Sequence, residues 1–103
     1  MLQSSNDVEF FMIIGFQHQG LKIFFETGNC SKIQPHHAGK LRLILAKLHA
    51  SHDIKDMNFP GSNLHALSGN RKNFYSVSVN GNWRVIFQFE KGEATLVDYI
   101  DYH

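Results

Sequence analysis

Apolar and polar positions change their spacing along the chain, and each spacing predicts a different secondary structure. A short apolar run over residues 11–16 predicts a first strand. Over residues 18–27 the apolar positions recur at helical spacing, and Gly28 follows as a residue suited to the left-handed conformation that ends many helices. A second apolar stripe predicts a helix over residues 35–50, with Pro35 in its first turn.

The second half of the chain shows the alternation that is typical of strands. Residues 73–79 and 83–89 flank Asn80 and Gly81, a pair favoured in two-residue hairpin turns. A second turn at residues 91–92 leads into a last strand over residues 94–100. The order of elements is β-α-α-β-β-β. It predicts an α+β domain in which an antiparallel sheet packs against an N-terminal helical hairpin.

The beginning of the chain lacks these patterns, since residues 1–9 are mostly polar and show no periodicity. We therefore predict that residues 1–11 are a mobile N-terminal extension with no catalytic part. Residues 12–103 are predicted to form one domain, which is what a chain of 103 residues favours.

Composition narrows the class of protein. Apolar residues make up 43% of the chain and include nine Phe, enough for a core without disulfides. Cys30 is the single cysteine, which excludes an internal disulfide framework and fits a reducing cytosol. No apolar run approaches the roughly 18 residues that a membrane helix needs. A net charge of +1 gives little support to nucleic-acid binding by bulk charge, so any such site depends on local grouping.

The predicted hairpin places several polar side chains together. If residues 91–92 form a two-residue loop, counting outward pairs Arg84 with Tyr99 and Asn82 with Asp101. Opposed residues project to the same side of a sheet and side chains alternate along a strand, although one bulge reverses the assignment. The face predicted in this way carries Asn82, Arg84, Tyr99, Asp101 and His103.

An amide, a guanidinium, a carboxylate and an imidazole on one face suit a phosphodiester substrate. Arginine offers a bidentate fork to phosphate oxygens, and an imidazole titrates near neutrality and so transfers protons. Cleavage of RNA by its own 2′-hydroxyl needs a base, an acid and positive charge around the phosphorane, without a metal. His65 and Asp101 are candidates for the second acid–base group. Most single polar residues, however, are simply exposed on the surface and have no catalytic role.

A zinc site is the alternative use of the other histidines. His36 and His37 begin the second helix, and His49 and His52 lie near its end. No cysteine pair or third ligand stands at metal-binding spacing, so this alternative is weak.

Three segments in this order resemble the HigB-like toxins of the RelE/ParE superfamily of bacterial toxin–antitoxin systems. They are residues 64–71, residues 79–85 and the terminal residues 101–103, and residues 16–22 and 25–28 are also similar. The resemblance covers about residues 12–103. It implies a RelE-like fold and endoribonucleolytic cleavage of mRNA in the ribosomal A site, with no metal or cofactor.

The resemblance also implies roles for particular residues. His65 and His103 are the expected acid–base pair, Asp101 is another candidate for the base, and Tyr102 orients the substrate or stacks on it. In the predicted register, however, Tyr102 lies on the opposite face. Some members have lysine at the position of Ser68. This chain therefore lacks a positive charge that those members carry there. The expected RNA-binding residues are Arg71, Asn82 and Arg84.

The implied partners are a HigA-like helix-turn-helix antitoxin, the 70S ribosome and mRNA. Operator DNA is expected only for the toxin–antitoxin complex, no membrane is involved, and the expected location is the cytoplasm. Two other functions stay open. One is ParE-like, non-enzymatic inhibition of DNA gyrase, which does not need a terminal histidine. The other is a catalytically weakened binding module.

Overall fold

Five strands in one sheet and two α-helices make up residues 12–102, the part of the chain that the computed structural model describes. Two short 3-10 turns, Pro35–His37 and Ile54–Met57, lie beside the second helix. The prediction for residues 1–11 and the position of His103 fall outside the described residues. In chain order the elements are β1 (Met12–Ile13), α1 (Gln19–Thr27), α2 (Ala38–Ala50), β2 (His65–Ala66), β3 (Phe74–Asn80), β4 (Trp83–Glu90) and β5 (Glu93–Asp101).

The sheet has the order β1-β5-β4-β3-β2. Strands β2 to β5 pair antiparallel, whereas β1 pairs parallel with β5. The α+β class is therefore confirmed, but the prediction of an antiparallel sheet is wrong for β1, and the sheet is mixed. A parallel neighbour needs a long crossover. Here both helices and three strands separate β1 from β5 along the chain. Strand β2 was not predicted because it has only two residues.

Both helices begin and end for local reasons. His18 caps α1 because its Nδ1 accepts a hydrogen bond of 2.9 Å from the Leu21 N–H. Gly28 has a φ of 84° and ends the helix, as predicted. The predicted second helix divides into the 3-10 turn at Pro35–His37 and the α-helix Ala38–Ala50. No helix of residues 12–102 is long and apolar enough to cross a membrane.

The hydrophobic core lies between the helices and one face of the sheet. Side chains that alternate along β3 and β4, such as Val77, Val85 and Phe87, are buried in it. The intervening side chains of the same strands, including Arg84, lie outside this core. We call the second face the open face. Helical residues in the core are Leu21 and Phe24 from α1 and Leu41, Ile44, Leu45 and Leu48 from α2.

A β-bulge in β5 changes the predicted register. Glu90 pairs with Glu93, as predicted, and the pairing continues to Gln88 opposite Thr95. The next pair is Ile86 with Asp98, so two residues of β5 stand opposite one of β4. The extra residue is accommodated at Leu96, whose φ of 53° lies in the left-handed region.

Beyond the bulge, the predicted pairs are wrong by one residue. Arg84 pairs with Ile100 instead of Tyr99, and Trp83 pairs with Asp101. A shift of one residue exchanges the two faces, because side chains alternate with a period of two. Tyr99 and Asp101 therefore leave the predicted face.

Candidate functional site

A row of side chains crosses four strands on the open face. His65 on β2 pairs with Ser76 on β3, Ser76 pairs with Ile86 on β4, and Ile86 pairs with Asp98 on β5. Directly opposed residues share a face. His65 therefore lies on the open face, where its side chain is exposed at the edge of the sheet.

The neighbouring row contains Arg84, which pairs with Ser78 on one side and Ile100 on the other. Its Nη1 atom is buried and has no hydrogen-bond partner among residues 12–102. Buried polar atoms in proteins are nearly always hydrogen-bonded, so an orphaned guanidinium nitrogen needs an explanation. Its position on the open face suits the binding of an anion.

Tyr102 moves onto the open face because of the bulge. Its backbone N–H donates a hydrogen bond of 2.8 Å to the Asn82 carbonyl oxygen, which places these two residues opposite each other. Asn82 lies two residues before Arg84, and Tyr102 lies two residues after Ile100, so both share the face of that pair. This pairing agrees with the predicted common face of Asn82 and Arg84. The conflict between the face of Tyr102 and its implied role disappears.

The observed register places Asp101 on the other face of the sheet from the predicted one. It pairs with Trp83, whose side chain packs against the core, and it is exposed at the end of β5. Its side chain therefore leaves the strand on the face opposite to Arg84, contrary to the prediction. His103 lies outside the described residues.

Arg71 borders a depression on the open face, in the turn before β3. The depression has a volume of about 240 Å³, and both Asp98 and Ile100, the partner of Arg84, line it. The sequence pattern does not point to Asp98, because the face on which Asp98 lies depends on the bulge at Leu96. No sequence signal for that bulge is present, since leucine is not a residue that favours the left-handed region.

A buried aromatic cluster supports β5 from the core side. The Tyr99 hydroxyl lies 2.7 Å from Nδ1 of His37 and accepts a longer hydrogen bond, of 3.3 Å, from the Gln34 N–H. The Trp83 ring lies against both, with ring centroids 4.5 Å from Tyr99 and 5.6 Å from His37. This cluster ties the strand that leads to Asp101 to the start of α2.

Two of the four histidines considered for a zinc site have other partners in the structure. His37 is 2% exposed and faces Tyr99, and His49 accepts a hydrogen bond of 3.3 Å at Nδ1 from the Ile13 N–H. Within residues 12–102 there is no group of three or more His, Cys, Asp or Glu side chains that could hold a metal ion.

Because His37 belongs to this cluster, we expect the protein to lose stability in acid. Burial, and then the charge of His36, hold the pKa of His37 below its ordinary value of 6.5. The unfolded chain therefore takes up this proton at a higher pH than the folded protein does. We expect the free energy of unfolding to be largest above pH 6.5 and to fall as the pH drops from there through the lowered pKa.

Urea unfolding across this pH range measures the effect. His37→Gln removes the titrating group but keeps a side chain that can hydrogen-bond to Tyr99. We expect its unfolding free energy to depend less on pH below neutrality. An unchanged pH dependence in His37→Gln would contradict the assignment and point to another group.

Comparisons with known proteins identify the family of this chain. Residues 14–103 match the model of a family described as HigB-like toxin, RelE-like toxin of type II toxin-antitoxin system HigB. The chain is 36% identical over 92 residues to the Endoribonuclease HigB of Proteus vulgaris, an alignment that spans 89% of this chain and 100% of that relative. The family match includes the segments that carry His65 and Arg84. The chain therefore belongs to the HigB-like family of RelE-like toxins of type II toxin–antitoxin systems.

Proposed function

We propose that this toxin is an endoribonuclease that cleaves mRNA in the A site of the 70S ribosome. The observation that carries the proposal is the buried, unpartnered Nη1 of Arg84 on the open face that also carries His65. A curated relative is named an endoribonuclease, which supports RNA as the substrate.

Arg84 supplies the positive charge. Guanidinium groups bind phosphate through paired N–H donors, and these hydrogen bonds are stronger than those between neutral groups. The guanidinium, one nitrogen of which has no protein partner, is suited to donate to a non-bridging oxygen of the scissile phosphate, where negative charge grows in the phosphorane. The amide of Asn82 lies two residues away on the same face and can bind a phosphate oxygen or a base edge.

The reaction needs two proton transfers. A base removes the proton of the 2′-hydroxyl, and the 2′-oxygen attacks phosphorus to form the phosphorane. The bond from phosphorus to the 5′-oxygen then breaks, and an acid protonates that oxygen. The products are a 2′,3′-cyclic phosphate and a 5′-hydroxyl, so no water, metal or cofactor enters the step.

We assign the two proton transfers to His65 and His103. His65 lies two strands from Arg84, about 10 Å across the sheet, a span that one RNA phosphate and its flanking sugars can cover. Asp101 is the weaker candidate for the base because its side chain leaves β5 on the other face. Tyr102 is 49% exposed on the open face and is placed to stack on a base.

Membership of a type II system implies an antitoxin partner. The implied antitoxin is a HigA-like helix-turn-helix protein, and operator DNA is bound by the complex of the two. The open face carries the residues proposed for RNA, so the helical side of the molecule is the surface left for other contacts.

Ribosomes programmed with a defined mRNA test the proposal. The full-length protein is added, and the ends of the cleaved mRNA are analysed chemically. We expect cleavage within the A-site codon and products that carry a 2′,3′-cyclic phosphate and a 5′-hydroxyl. Inhibition of DNA gyrase without mRNA cleavage would show that the ParE-like alternative is correct. Absence of both effects, and of growth arrest on expression, would favour a catalytically weakened binding module.

A further inference from the structure

The depression beside Arg84 has features of a binding site that the proton-transfer scheme does not use. Its floor is formed by Phe74, Ile86 and Ile100 on three neighbouring strands. Its volume of about 240 Å³ is below the roughly 300–1,000 Å³ of sites for drug-sized ligands. An apolar floor of this size suits a single ring system.

Polar groups stand at the wall of the depression. Gln17 contributes an amide, Arg71 a guanidinium and Asp98 a carboxylate. The Oδ1 of Asp98 accepts a hydrogen bond of 2.9 Å from the Tyr99 N–H. The other carboxylate oxygen takes no part in that hydrogen bond. An ionised carboxylate only accepts hydrogen bonds, so it selects a ligand edge that donates.

Leu96 closes one side of the depression. It is 42% exposed although it belongs to a strand, and its φ of 53° is uncommon for a residue with a large side chain. Bulges occur next to active sites, where they redirect a side chain. Here the bulge does two things, since it brings Leu96 to the depression and places Asp98 on the open face.

The depression continues directly from the proposed phosphate site. Ile100 in its floor is the cross-strand partner of Arg84, and directly opposed side chains have Cβ atoms about 4.5–5.5 Å apart. A nucleotide whose phosphate binds Arg84 therefore has its base within reach of the floor. Proteins that read single-stranded RNA stack its bases on aromatic rings or arginine planes and bind the base edges. Phe74 and Arg71 provide those surfaces here.

We propose that the depression is a base subsite of the toxin, in which Asp98 selects a base that carries an exocyclic amino group. The proposal rests on the proposed function, because the subsite takes one of the two bases that flank the scissile phosphate. Cytosine, adenine and guanine each donate from an amino group, and aspartate accepts from the amino group of cytosine in known complexes. Uracil presents a carbonyl oxygen where cytosine carries its amino group and donates only from N3–H, so we expect the carboxylate to bind it more weakly.

A short RNA that binds but cannot react tests the subsite. The RNA carries a 2′-O-methyl group at the scissile position, and the two flanking bases are changed one at a time. Affinity is measured with the full-length protein, and NMR follows the methyl groups of Leu96, Ile86 and Ile100. We expect these methyl signals to shift and an amino-bearing base to bind at least about tenfold better than uracil at one flanking position.

Two variants and a control separate the subsite from general effects. Asp98→Asn keeps an oxygen for the Tyr99 N–H but adds an amide donor, so we expect the preference against uracil to fall below about twofold. Leu96→Gly removes the side chain at a backbone position that glycine adopts without strain, and we expect weaker binding of every base. Glu26→Gln removes a carboxylate on α1 and is expected to change nothing.

The outcomes distinguish this proposal from the proposed function. RNA binding that depends on Arg84, with no base preference and no shift of the three methyl signals, would overturn the subsite and leave the endoribonuclease proposal in place. An unchanged preference in Asp98→Asn would overturn the assignment to Asp98. Failure of the protein both to bind this RNA and to cleave mRNA on ribosomes would overturn both proposals.

Discussion

Replacement of Arg84 by alanine is expected to lower the rate of mRNA cleavage on programmed ribosomes by about 10²–10³-fold. That is the typical cost of removing one preorganised donor from a site where negative charge develops. Arg84→Lys keeps the charge but loses the fork, so we expect a rate between those of the wild type and Arg84→Ala. Single-turnover cleavage of a defined A-site codon measures both variants.

The thermal stability of Arg84→Ala shows whether Arg84 is needed for catalysis or for the fold. Its Nη1 is buried without a partner among the described residues, so removal of the side chain breaks no hydrogen bond of that atom. We therefore expect the midpoint of thermal unfolding to stay close to that of the wild type. A large loss of stability in Arg84→Ala would show that the lost cleavage reflects unfolding.

Arg42 offers a matched control on the other side of the molecule. Its guanidinium carbon lies 5.6 Å from the centroid of the Phe24 ring, between the two helices. Arg42→Ala removes the same charge without touching the open face, and we expect a much smaller effect on cleavage. Equal losses in Arg42→Ala and Arg84→Ala would mean that overall positive charge, and not a phosphate site, explains the result.

Replacement of His65 or His103 by alanine is expected to lower cleavage by about 10²–10⁴-fold, the usual contribution of a positioned acid or base. The double variant is expected to lose less than the product of the two single effects, because groups that act in one transition state are not additive. His36→Ala is the control, since His36 is exposed and lies away from the open face beside His37.

A modified substrate separates the acid from the base. In RNA with sulfur in place of the bridging 5′-oxygen, the leaving group departs without protonation. The variant that lacks the acid should then recover most of its rate, whereas the variant that lacks the base should not. Recovery in neither variant would contradict the assignment of these two histidines and leave Asp101 as a group to test.

Local signals in the sequence predicted several elements correctly because the interactions that form them are local. Gly28 ends α1 in the left-handed conformation. A tight turn between β3 and β4 is also present, but its two residues are Gly81 and Asn82, one position later than predicted, because Asn80 pairs with Trp83. The turn at residues 91–92 begins with the predicted pair of Glu90 and Glu93. In each case neighbouring residues decide the backbone conformation.

The register of β5 could not be obtained in the same way. The bulge places Leu96 in a conformation that leucine rarely adopts, and no local preference favours it. Packing favours it instead, because the shift places Tyr99 opposite Val85 and buries both Val97 and Tyr99 in the core. Such a gain depends on residues distant in the chain, and a pattern read along one strand does not contain it.

The sequence by itself determined the α+β class, the reactive residue types and, through its resemblance, the family of this protein. Only the tertiary structure decided which of those residues meet. It kept Arg84 with Asn82, added Tyr102 and Asp98 to their face, and moved Asp101 away. The physical reason is that side chains alternate across a sheet, so one inserted residue reverses a face while every local signal stays the same.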